Sequence, residues 1–286
     1  MNSPAMPADE PVILRIPGLE PRLHMTVHGP QDKHVSRNIR EQGIWEPYET
    51  SLVLARLKPG DVFVDVGANI GYFSLVAASV VGEGGQVFAF EPEPANFELL
   101  KANVEQNALQ CRVHAVQAGL SCVDSDGQLF LSEDNLGDHQ IFSDGNDRKA
   151  LDIRLLQGSN YLQRQLLQAN VSHIELIKVD TQGSEYQVIL GLKSLLLELP
   201  QVPDILIELT PFSLRQAGHS GRQLIELLDT LGQPMWIVDH IEHRLVASTA
   251  QELAQWCDNV DTCVGDLGFM NIYLGPDPWL PRGEIP

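Results

Sequence analysis

The chain has 286 residues, of which 43% are hydrophobic and 20% are charged, and these fractions exclude a wholly disordered or fibrous protein. The length suits one large domain, or one domain with an appendage. Acidic residues outnumber basic residues by 38 to 19, for a net charge of −19, and a surface of this sign repels the phosphates of DNA and RNA.

The first elements precede the regular part of the chain. Residues 1–44 are polar and mixed, and we interpret them as a partly irregular N-terminal extension to a main domain over residues 45–286. A helix is predicted over residues 45–57, before the turn signal Pro59-Gly60-Asp61. Residues 62–66 are then a short apolar run, typical of a strand that is buried on both faces.

Strands and helices alternate after this strand. Gly71 opens a helix that is predicted to continue to residue 81, and a second buried strand follows over residues 86–90. Pro94 suits the first turn of the next helix, and a third strand is predicted over residues 112–116. Residues 120–172 break the alternation, and we interpret them as an insertion with a short extra strand and a long polar loop.

The alternation returns in the last part of the chain. Strands are predicted over residues 174–179, 205–209, 235–238 and 269–274, and Ser220 is a candidate cap for one of the helices between them. No helix is evident between the last two strands, which suggests an antiparallel hairpin at one edge. The whole pattern predicts an α/β fold, in which helices cover both faces of a mostly parallel sheet.

The strongest local signal is the sequence D-V-G-A-N-I-G at residues 65–71, which joins a strand to a helix. Its glycines let the backbone approach a ligand, and the helix start offers free N–H groups. Asp65 is placed to accept hydrogen bonds from an amino group. Glu91, at the end of the next strand, is placed to accept the hydroxyls of a ribose.

Two cofactor classes suit a glycine loop of this kind. Nicotinamide dinucleotides prefer the pattern G-x-G-x-x-G, and an acid at the front of the loop would repel their pyrophosphate. S-adenosylmethionine has a ribose, an ammonium and a carboxylate but no phosphate. The pattern therefore favours S-adenosylmethionine, with a nucleotide or a turn without ligand as the alternatives.

Three blocks of sequence carry a family resemblance. They are F-V-D-V-G-A-N-I-G-Y-F-S at residues 63–74, F-E-P-E-P at residues 90–94 and I-K-V-D-T-Q-G-S-E at residues 177–185. These blocks resemble the FkbM family of S-adenosylmethionine-dependent methyltransferases, over roughly residues 45–275. The resemblance implies a Rossmann-like, seven-stranded sheet of the class I methyltransferase type, with an antiparallel edge strand. The expected cofactor-binding residues are Asp65, Gly67, Ala68, Asn69, Gly71, Tyr72 and Glu91.

Polar residues at the carboxyl ends of the strands are candidates for catalysis, because ligands of open α/β sheets bind there. Asp180 ends the fourth strand, and Glu185 lies in the first turn of the next helix. Glu208 lies in the fifth strand, where a buried carboxylate needs a partner. Glu185 has an alternative role as a helix-start acid, and Glu208 has an alternative role in a salt bridge, for example with Lys178.

The polar loop around residues 135–140 is a further candidate, because N-L-G-D-H-Q resembles a stretch found in some members of the family. His139 is a candidate base, since the ordinary pKa of histidine lies near neutrality. Asp138 and Asn135 are predicted to bind the substrate, and Asp138 is also a candidate to orient His139. An exposed loop histidine without a function is the alternative for His139. Trp45 and Glu46 either close over the site or pack in the core.

The cysteines and the apolar segments bear on location. Four cysteines without a C-x-x-C pair predict reduced thiols, and no metal site is expected. The N-terminus lacks the basic and apolar stretches of a targeting segment. The most apolar helical segment, residues 72–81, is shorter than the roughly 20 residues that cross a bilayer. We expect a cytoplasmic protein that binds neither membranes nor nucleic acid.

Three functions are compatible with these features. The first is methyl transfer to oxygen, for which the resemblance implies hydroxyls of sugars or polyketides as frequent acceptors. The second is methyl transfer to nitrogen, in a peptide amide or an amine. The third is binding of S-adenosylmethionine or a nucleotide without chemistry. The acceptor is expected to be a small molecule, a glycan or a peptide, and the sequence does not indicate an oligomeric state.

Overall fold

The computed structural model describes residues 10–20, 22–132, 139–140, 149–263 and 265–279. In chain order, the strands of this part are β1 (Val12–Ile13), β2 (His24–Met25), β3 (Val62–Val66), β4 (Gln86–Phe90), β5 (Val113–Val116), β6 (Gly119–Ser121), β7 (Ser125–Phe130), β8 (Ala150–Gln157), β9 (Leu176–Val179), β10 (Asp204–Leu209), β11 (Met235–Asp239), β12 (Arg244–Ser248) and β13 (Met270–Leu274). The helices are α1 (Val35–Gln42), α2 (Pro47–Arg56), α3 (Tyr72–Val81), α4 (Pro94–Gln106), α5 (Gly158–Ala169), α6 (Glu185–Glu198), α7 (Pro211–Gln216), α8 (Gly221–Asp229) and α9 (Ala250–Thr262).

The main sheet has eight strands in the order β12-β11-β13-β10-β9-β3-β4-β5. The run from β10 to β5 is parallel throughout. The predicted α/β class, with a large and mostly parallel sheet, is therefore confirmed. The strands cross over at β3 and β9, which are adjacent in the sheet and distant in the chain, and a crevice for ligands forms at such a switch point.

Both faces of the sheet are covered, as the apolar strands predict. Val62, Val64 and Val66 of β3 pack in one core with α5, α6, α8 and α9. Phe63 points to the other core, which contains apolar residues of α1, α2, α3 and α4. Because successive residues of a strand face opposite sides, this arrangement explains why β3 contains no exposed position.

The last strands differ from the prediction in position and number. The last strand, β13, is antiparallel as expected, but it lies between β10 and β11 inside the sheet. The prediction of seven strands was wrong, because β12 forms an eighth strand that pairs antiparallel with β11. The prediction of a hairpin at the edge was also wrong in position, because β12 and not β13 is the edge strand. Helix α9 lies between β12 and β13, where no helix was expected, and begins at a capping box formed by Thr249 and Glu252.

The insertion forms a second, three-stranded sheet in the order β6-β8-β7. A short extra strand was predicted in the insertion, and strand β7 begins at Ser125 and ends at Phe130. Strand β8 and helix α5 were not predicted. Helix α5 packs on α6, and Ser159 in its first turn donates a hydrogen bond to the backbone oxygen of Gly191 (2.7 Å).

The N-terminal segment packs on the main domain. Leu14, Met25 and Ile39 are buried in the same core as α2 and α3. The boundary at residue 44 therefore separates two segments that share a core, and the division into extension and domain stays a prediction. No helix among the described residues is long and apolar enough to span a bilayer.

Helix α2 extends from one end of the main sheet to the other. Its N-terminus follows Trp45 and Glu46, and its last residue, Arg56, forms ion pairs with Asp204 and Glu175 at the amino ends of β10 and β9. Between these ends, Glu49 accepts a hydrogen bond from Asn271 of β13 (2.9 Å). The helix is thus fixed to the sheet at several points along its length.

Candidate active site

A cavity of about 780 Å³ lies at the carboxyl ends of β3, β4, β9 and β10. Each of these strands, or the residue just after it, contributes an acidic side chain to the lining: Asp65, Glu91, Asp180 and Glu208. The N-terminal segment contributes Trp45 and Glu46. The acids at the strand ends therefore lie together, as the parallel topology predicts.

The glycine loop has a backbone that only small residues tolerate. Gly67 has a φ of +85°, and a Cβ there would overlap the carbonyl oxygen of Asp180. The backbone N–H groups of Gly67 and Ala68 both donate to the carbonyl oxygen of Phe90, at 3.0 and 2.9 Å. These bonds hold the loop against the end of β4 and bring its backbone to the cavity.

Glu91 is held by the same loop. Its Oε2 accepts a hydrogen bond from the backbone N–H of Asn69 (2.8 Å), and its Oε1 accepts one from the backbone N–H of Glu93 (2.9 Å). The side chain is 5% exposed, and burial raises its pKa to about 7. Each carboxylate oxygen retains capacity for a second hydrogen bond from a ligand.

The remaining cofactor candidates have distinct surroundings. Asp65 accepts a hydrogen bond from the hydroxyl of Ser74 (2.6 Å), and burial raises its pKa. The Tyr72 hydroxyl lies 3.2 Å from Thr50 Oγ1. All seven predicted residues except Gly71 line the cavity. Gly71 packs against Leu100 in the core, where a Cβ would come too close to the Leu100 side chain. Their role in cofactor binding stays a prediction.

Asp180 is paired with a buried lysine. The ammonium of Lys178 lies 2.9 Å from Asp180 Oδ2 and 4.6 Å from the centre of the Phe73 ring. Burial raises the pKa of Asp180, but the charge and hydrogen bond of Lys178 outweigh it, so the pKa lies below its ordinary value. The salt bridge that was considered for Glu208 is thus made by Asp180.

Glu208 faces the cavity and is bridged to Asp180 by an amide. Gln182 Nε2 donates to Asp180 Oδ1 and to Glu208 Oε2, both at 2.8 Å. Burial raises the pKa of Glu208 well above its ordinary value, and the nearby charges of Asp180, Glu185 and Glu46 raise it further. The pKa values of the two carboxylates are therefore shifted in opposite directions.

Glu46 lies beside this pair and has a left-handed backbone with a φ of +40°. Burial raises its pKa to about 8, the charge of Lys178 lowers it, and the charge of Asp180 raises it. Because non-glycine residues seldom adopt this conformation, it marks a position that is held by its surroundings. Of the described residues, no group of three or more His, Cys, Asp or Glu side chains is arranged to hold a metal ion.

Glu185 binds the loop between β9 and α6. Its Oε1 accepts hydrogen bonds from the backbone N–H and the hydroxyl of Thr181, both at 2.9 Å, and its Oε2 accepts one from the backbone N–H of Gly183 (2.9 Å). Both oxygens are engaged in the loop that carries Gln182. The contacts favour a positioning role for Glu185, and its catalytic assignment stays a prediction.

The polar loop is described only in part. His139 lines the cavity, and its Nδ1 accepts a hydrogen bond from the backbone N–H of Ser132 (3.0 Å). Asn135 and Asp138, which were predicted to bind the substrate, lie outside the described residues. The assignment of His139 as a base stays a prediction that its position supports.

Sequence reasoning missed three residues of the cavity. Lys178 was considered only as a partner of Glu208, although a lysine in an apolar strand is itself a signal of a buried ion pair. Gln182 adopts a left-handed backbone with a φ of +52°, which its sequence context does not reveal. Ser184 lines the cavity beside it.

Comparison with known proteins identifies a family model, the methyltransferase FkbM domain, that matches residues 65–234. "Methyltransferase 1" of Beauveria bassiana is 29% identical over 150 residues, which are 47% of this chain and 59% of that protein. "Hexuronic acid methyltransferase AglP" of Haloferax volcanii is 26% identical over 222 residues, which are 76% of this chain and 80% of that protein.

A third relative matches a shorter segment. "31-O-demethyl-FK506 methyltransferase FkbM" of Streptomyces tacrolimicus is 49% identical over 57 residues, which are 20% of this chain and 22% of that protein. The aligned segments thus span less than two thirds of the Beauveria and Streptomyces proteins and most of the Haloferax protein.

Proposed function

This chain belongs to the FkbM family of methyltransferases, and from that premise we propose that it methylates a hydroxyl group of a sugar or another small molecule with S-adenosylmethionine as the donor. The acceptor is the finer part of the proposal. The name of the Haloferax relative specifies a hexuronic acid, and the name of the Streptomyces relative specifies an O-demethyl compound. Both names support an oxygen acceptor on a small molecule or a glycan.

The observation that carries the donor assignment is the charge of the cavity lining. Asp65 and Glu91 face the cavity beside the glycine loop, and Lys178 is the only lysine or arginine among the described lining residues. Such a lining repels the two phosphates of a dinucleotide. S-adenosylmethionine has no phosphate and supplies a methyl group on a positively charged sulfur. Glu91 would hold its ribose, and Asp65 would hold its ammonium.

A hydroxyl acceptor also needs a base, because it must lose a proton when its oxygen is methylated. Asp180 is a weak base, since its carboxylate is stabilised by Lys178. We assign the base to Glu208, which faces the same cavity with a raised pKa and accepts a hydrogen bond from the neutral Gln182 amide. His139 is the second candidate.

Titration calorimetry tests the donor assignment. S-adenosylhomocysteine and S-adenosylmethionine are expected to bind the purified protein with one site. Asp65→Ala should weaken binding by about 1.5–3 kcal/mol, because a hydrogen bond to a charged group is lost. The exposed Glu242→Gln variant serves as the control and should bind as the wild type does. Binding of NAD with higher affinity than either adenosyl compound would overturn the assignment.

Release of S-adenosylhomocysteine in the presence of hydroxyl and amine libraries tests the reaction. Turnover with hydroxyl compounds supports the proposal, and turnover restricted to amines would replace it with methyl transfer to nitrogen. Glu208→Gln should lower kcat by roughly 10²–10⁴-fold, the usual contribution of a general base, and leave cofactor affinity near that of the wild type. If only His139→Ala lowers kcat to this extent, the base is His139.

A further inference from the structure

The end of the cavity that is formed by residues following β9, in β10 and before α2 is lined by groups that accept hydrogen bonds. We name it the acid wall and define it by Glu46, Asp180, Gln182 and Glu208, all of which line the cavity. The charge of one ammonium, that of Lys178, lowers the pKa of all three carboxylates of this wall. The role that we assign to this wall concerns the acceptor and rests on the proposed function.

Gln182 adds an acceptor to the wall rather than a donor. Its amide nitrogen has two hydrogens, and it donates to Asp180 Oδ1 and to Glu208 Oε2 at 2.8 Å each. An amide between two carboxylates must turn its NH₂ group toward them, so this orientation is set by the network. Both donors are therefore occupied, and the amide oxygen is left to receive a hydrogen bond from a ligand.

Lys178 does not offer its charge to an incoming anion. Its ammonium is buried, lies 2.9 Å from Asp180 Oδ2, and is stacked on the Phe73 ring. Its charge already stabilises Asp65, Asp180 and Glu46. A carboxylate or phosphate on the acceptor would compete with three acids of the protein for this one cation.

Ser184 places a buried hydroxyl, without a partner in the described part of the chain, at this end of the cavity. It follows Gly183 and lines the same cavity, and it is only 4% exposed. Its hydroxyl has no hydrogen-bond partner among the described residues. A buried polar group without a partner costs free energy, so a hydroxyl or ammonium of a ligand would supply the missing bond.

We propose that the acid wall selects an acceptor whose polar groups next to the reacting atom donate hydrogen bonds, as hydroxyl or ammonium groups do, and that it excludes acceptors with a carboxylate, phosphate or sulfate at that position. A glycoside with a hydroxyl next to the reacting oxygen would therefore be accepted, and the same glycoside with a carboxylate at that position would be rejected. Glu46 and Glu208 are the specificity-determining residues, because Asp180 is already neutralised by Lys178.

Three piperidine nitroxides that differ only in one substituent test this selection without knowledge of the acceptor. The substituents are trimethylammonium, hydroxyl and carboxylate. The protein is labelled with 5-fluorotryptophan and saturated with S-adenosylhomocysteine at pH 9, above the pKa of about 8 of Glu46. The fluorine signal of Trp45, beside the acid wall, is assigned with Trp45→Phe. We expect the cationic nitroxide to broaden this signal about fivefold more than the anionic one, with the hydroxyl compound between them. The exposed Trp279 should show a smaller ratio.

Two variants identify the source of the effect. Glu46→Gln combined with Glu208→Gln should reduce the Trp45 ratio to that of Trp279, whereas Glu198→Gln combined with Glu242→Gln removes the same charge from exposed positions and should preserve it. Equal broadening of Trp45 by the cationic and anionic nitroxides would overturn the inference. A ratio that survives the first pair of substitutions would also overturn it. If the protein with both Glu46→Gln and Glu208→Gln does not fold, Glu208→Gln alone should lower the Trp45 ratio. An unchanged ratio in that single variant would also overturn the inference.

The proposed function fails separately from this inference. Absence of S-adenosylhomocysteine binding in the calorimetric titration would remove the methyltransferase assignment. The nitroxide ratio on the protein without cofactor still reports whether the acid wall excludes anions.

Discussion

Glu91 combines two backbone hydrogen bonds with burial, and this combination makes its affinity for a ribose dependent on pH. Burial raises its pKa to about 7, so the carboxylate is ionised above pH 7 and protonated below it. The ionised form accepts hydrogen bonds from two hydroxyls, whereas the protonated form has lost its charge.

The affinity of S-adenosylhomocysteine should therefore fall as the pH decreases from 8 to 6. With a pKa of about 7, the ionised fraction of Glu91 falls about tenfold between pH 8 and pH 6, so Kd should rise by up to about tenfold over this interval. Glu91→Gln should bind weakly at both pH values and lose most of the pH dependence. Calorimetry of both proteins at the two pH values measures this. If the affinity of the variant depends on pH as strongly as that of the wild type, another group, such as Asp65, causes the dependence.

Gly67 and Gly60 form a matched pair for a test of the glycine loop. Both have a left-handed φ, +85° and +94°, but a Cβ at Gly67 would overlap the Asp180 carbonyl, whereas nothing lies within 4 Å of a Cβ at Gly60. Gly60→Ala should cost only the backbone strain of about 1–2 kcal/mol. Gly67→Ala should cost more and should abolish S-adenosylhomocysteine binding. Urea unfolding and calorimetry measure the two effects, and equal losses in both variants would contradict the close approach at Gly67.

At the scale of elements, the loop between β9 and α6 is held by the first residue of the helix. Glu185 accepts hydrogen bonds from the backbone N–H and the hydroxyl of Thr181, and the backbone N–H of Gly183 donates to both of its carboxylate oxygens. The loop carries Gln182 in a strained conformation, so the position of the acid wall depends on these bonds.

Glu185→Ala should release this loop. We expect a loss of about 1.5–3 kcal/mol in the free energy of unfolding and a larger fall in kcat than in cofactor affinity, because Gln182 no longer bridges Asp180 and Glu208. Glu198→Ala, at the exposed end of the same helix, should change neither quantity. Unfolding in urea measures the free energy of unfolding, and steady-state kinetics measure kcat. An unchanged kcat would show that the loop keeps its shape without Glu185.

The elements that could be predicted from the sequence are those with a strong apolar pattern. Strands β3, β4, β9 and β10 are buried on both faces and are therefore recognisable as short apolar runs. Strand β7 begins with S-D-G because it belongs to a small sheet with one partner strand, so its pattern is that of a turn. Strand β12 at the edge of the main sheet is only partly buried, which weakens its pattern in the same way.

The candidate site was predictable to the extent that it follows from topology. The acids at the strand ends meet because parallel strands end at the same edge. The bridge by Gln182 and the partnerless hydroxyl of Ser184 depend on backbone angles and on contacts between distant segments of the described chain. Neither the Gln182 bridge nor the Ser184 hydroxyl without a partner among the described residues can therefore be predicted from a single sequence.

At the scale of the whole molecule, buried acids make the stability dependent on pH. Burial raises the pKa of Glu46 to about 8, and the pKa values of Glu91 and Glu175 to about 7, from 4.5. The folded protein therefore holds more protons than the unfolded chain between pH 4.5 and 8, so stability is lost as the pH rises through 7–8. The lowered pKa values of His114 and His219 act in the opposite direction, below about pH 6.5.

The melting temperature should consequently be lower at pH 8.5 than at pH 6.5, at constant ionic strength. Each kcal/mol lost corresponds to about 2–4 °C for a domain of this size. Glu46→Gln should reduce the difference, because it removes one of the titrating groups, and the exposed Glu242→Gln should not. Thermal unfolding of the three proteins at both pH values provides the measurement, and a melting temperature that rises with pH would contradict the sign.

Helix α2 is about as long as the strands beside it and is fixed to the sheet at both ends. Ten helical residues rise about 15 Å, and five strand residues rise about 17 Å, so the helix spans the sheet from Arg56 at one end to Glu46 at the other. Sliding it by one turn would break the Arg56 pairs with Asp204 and Glu175. The position of Trp45 and Glu46 at the cavity is therefore fixed from the far end of the sheet, through the ion pairs of Arg56.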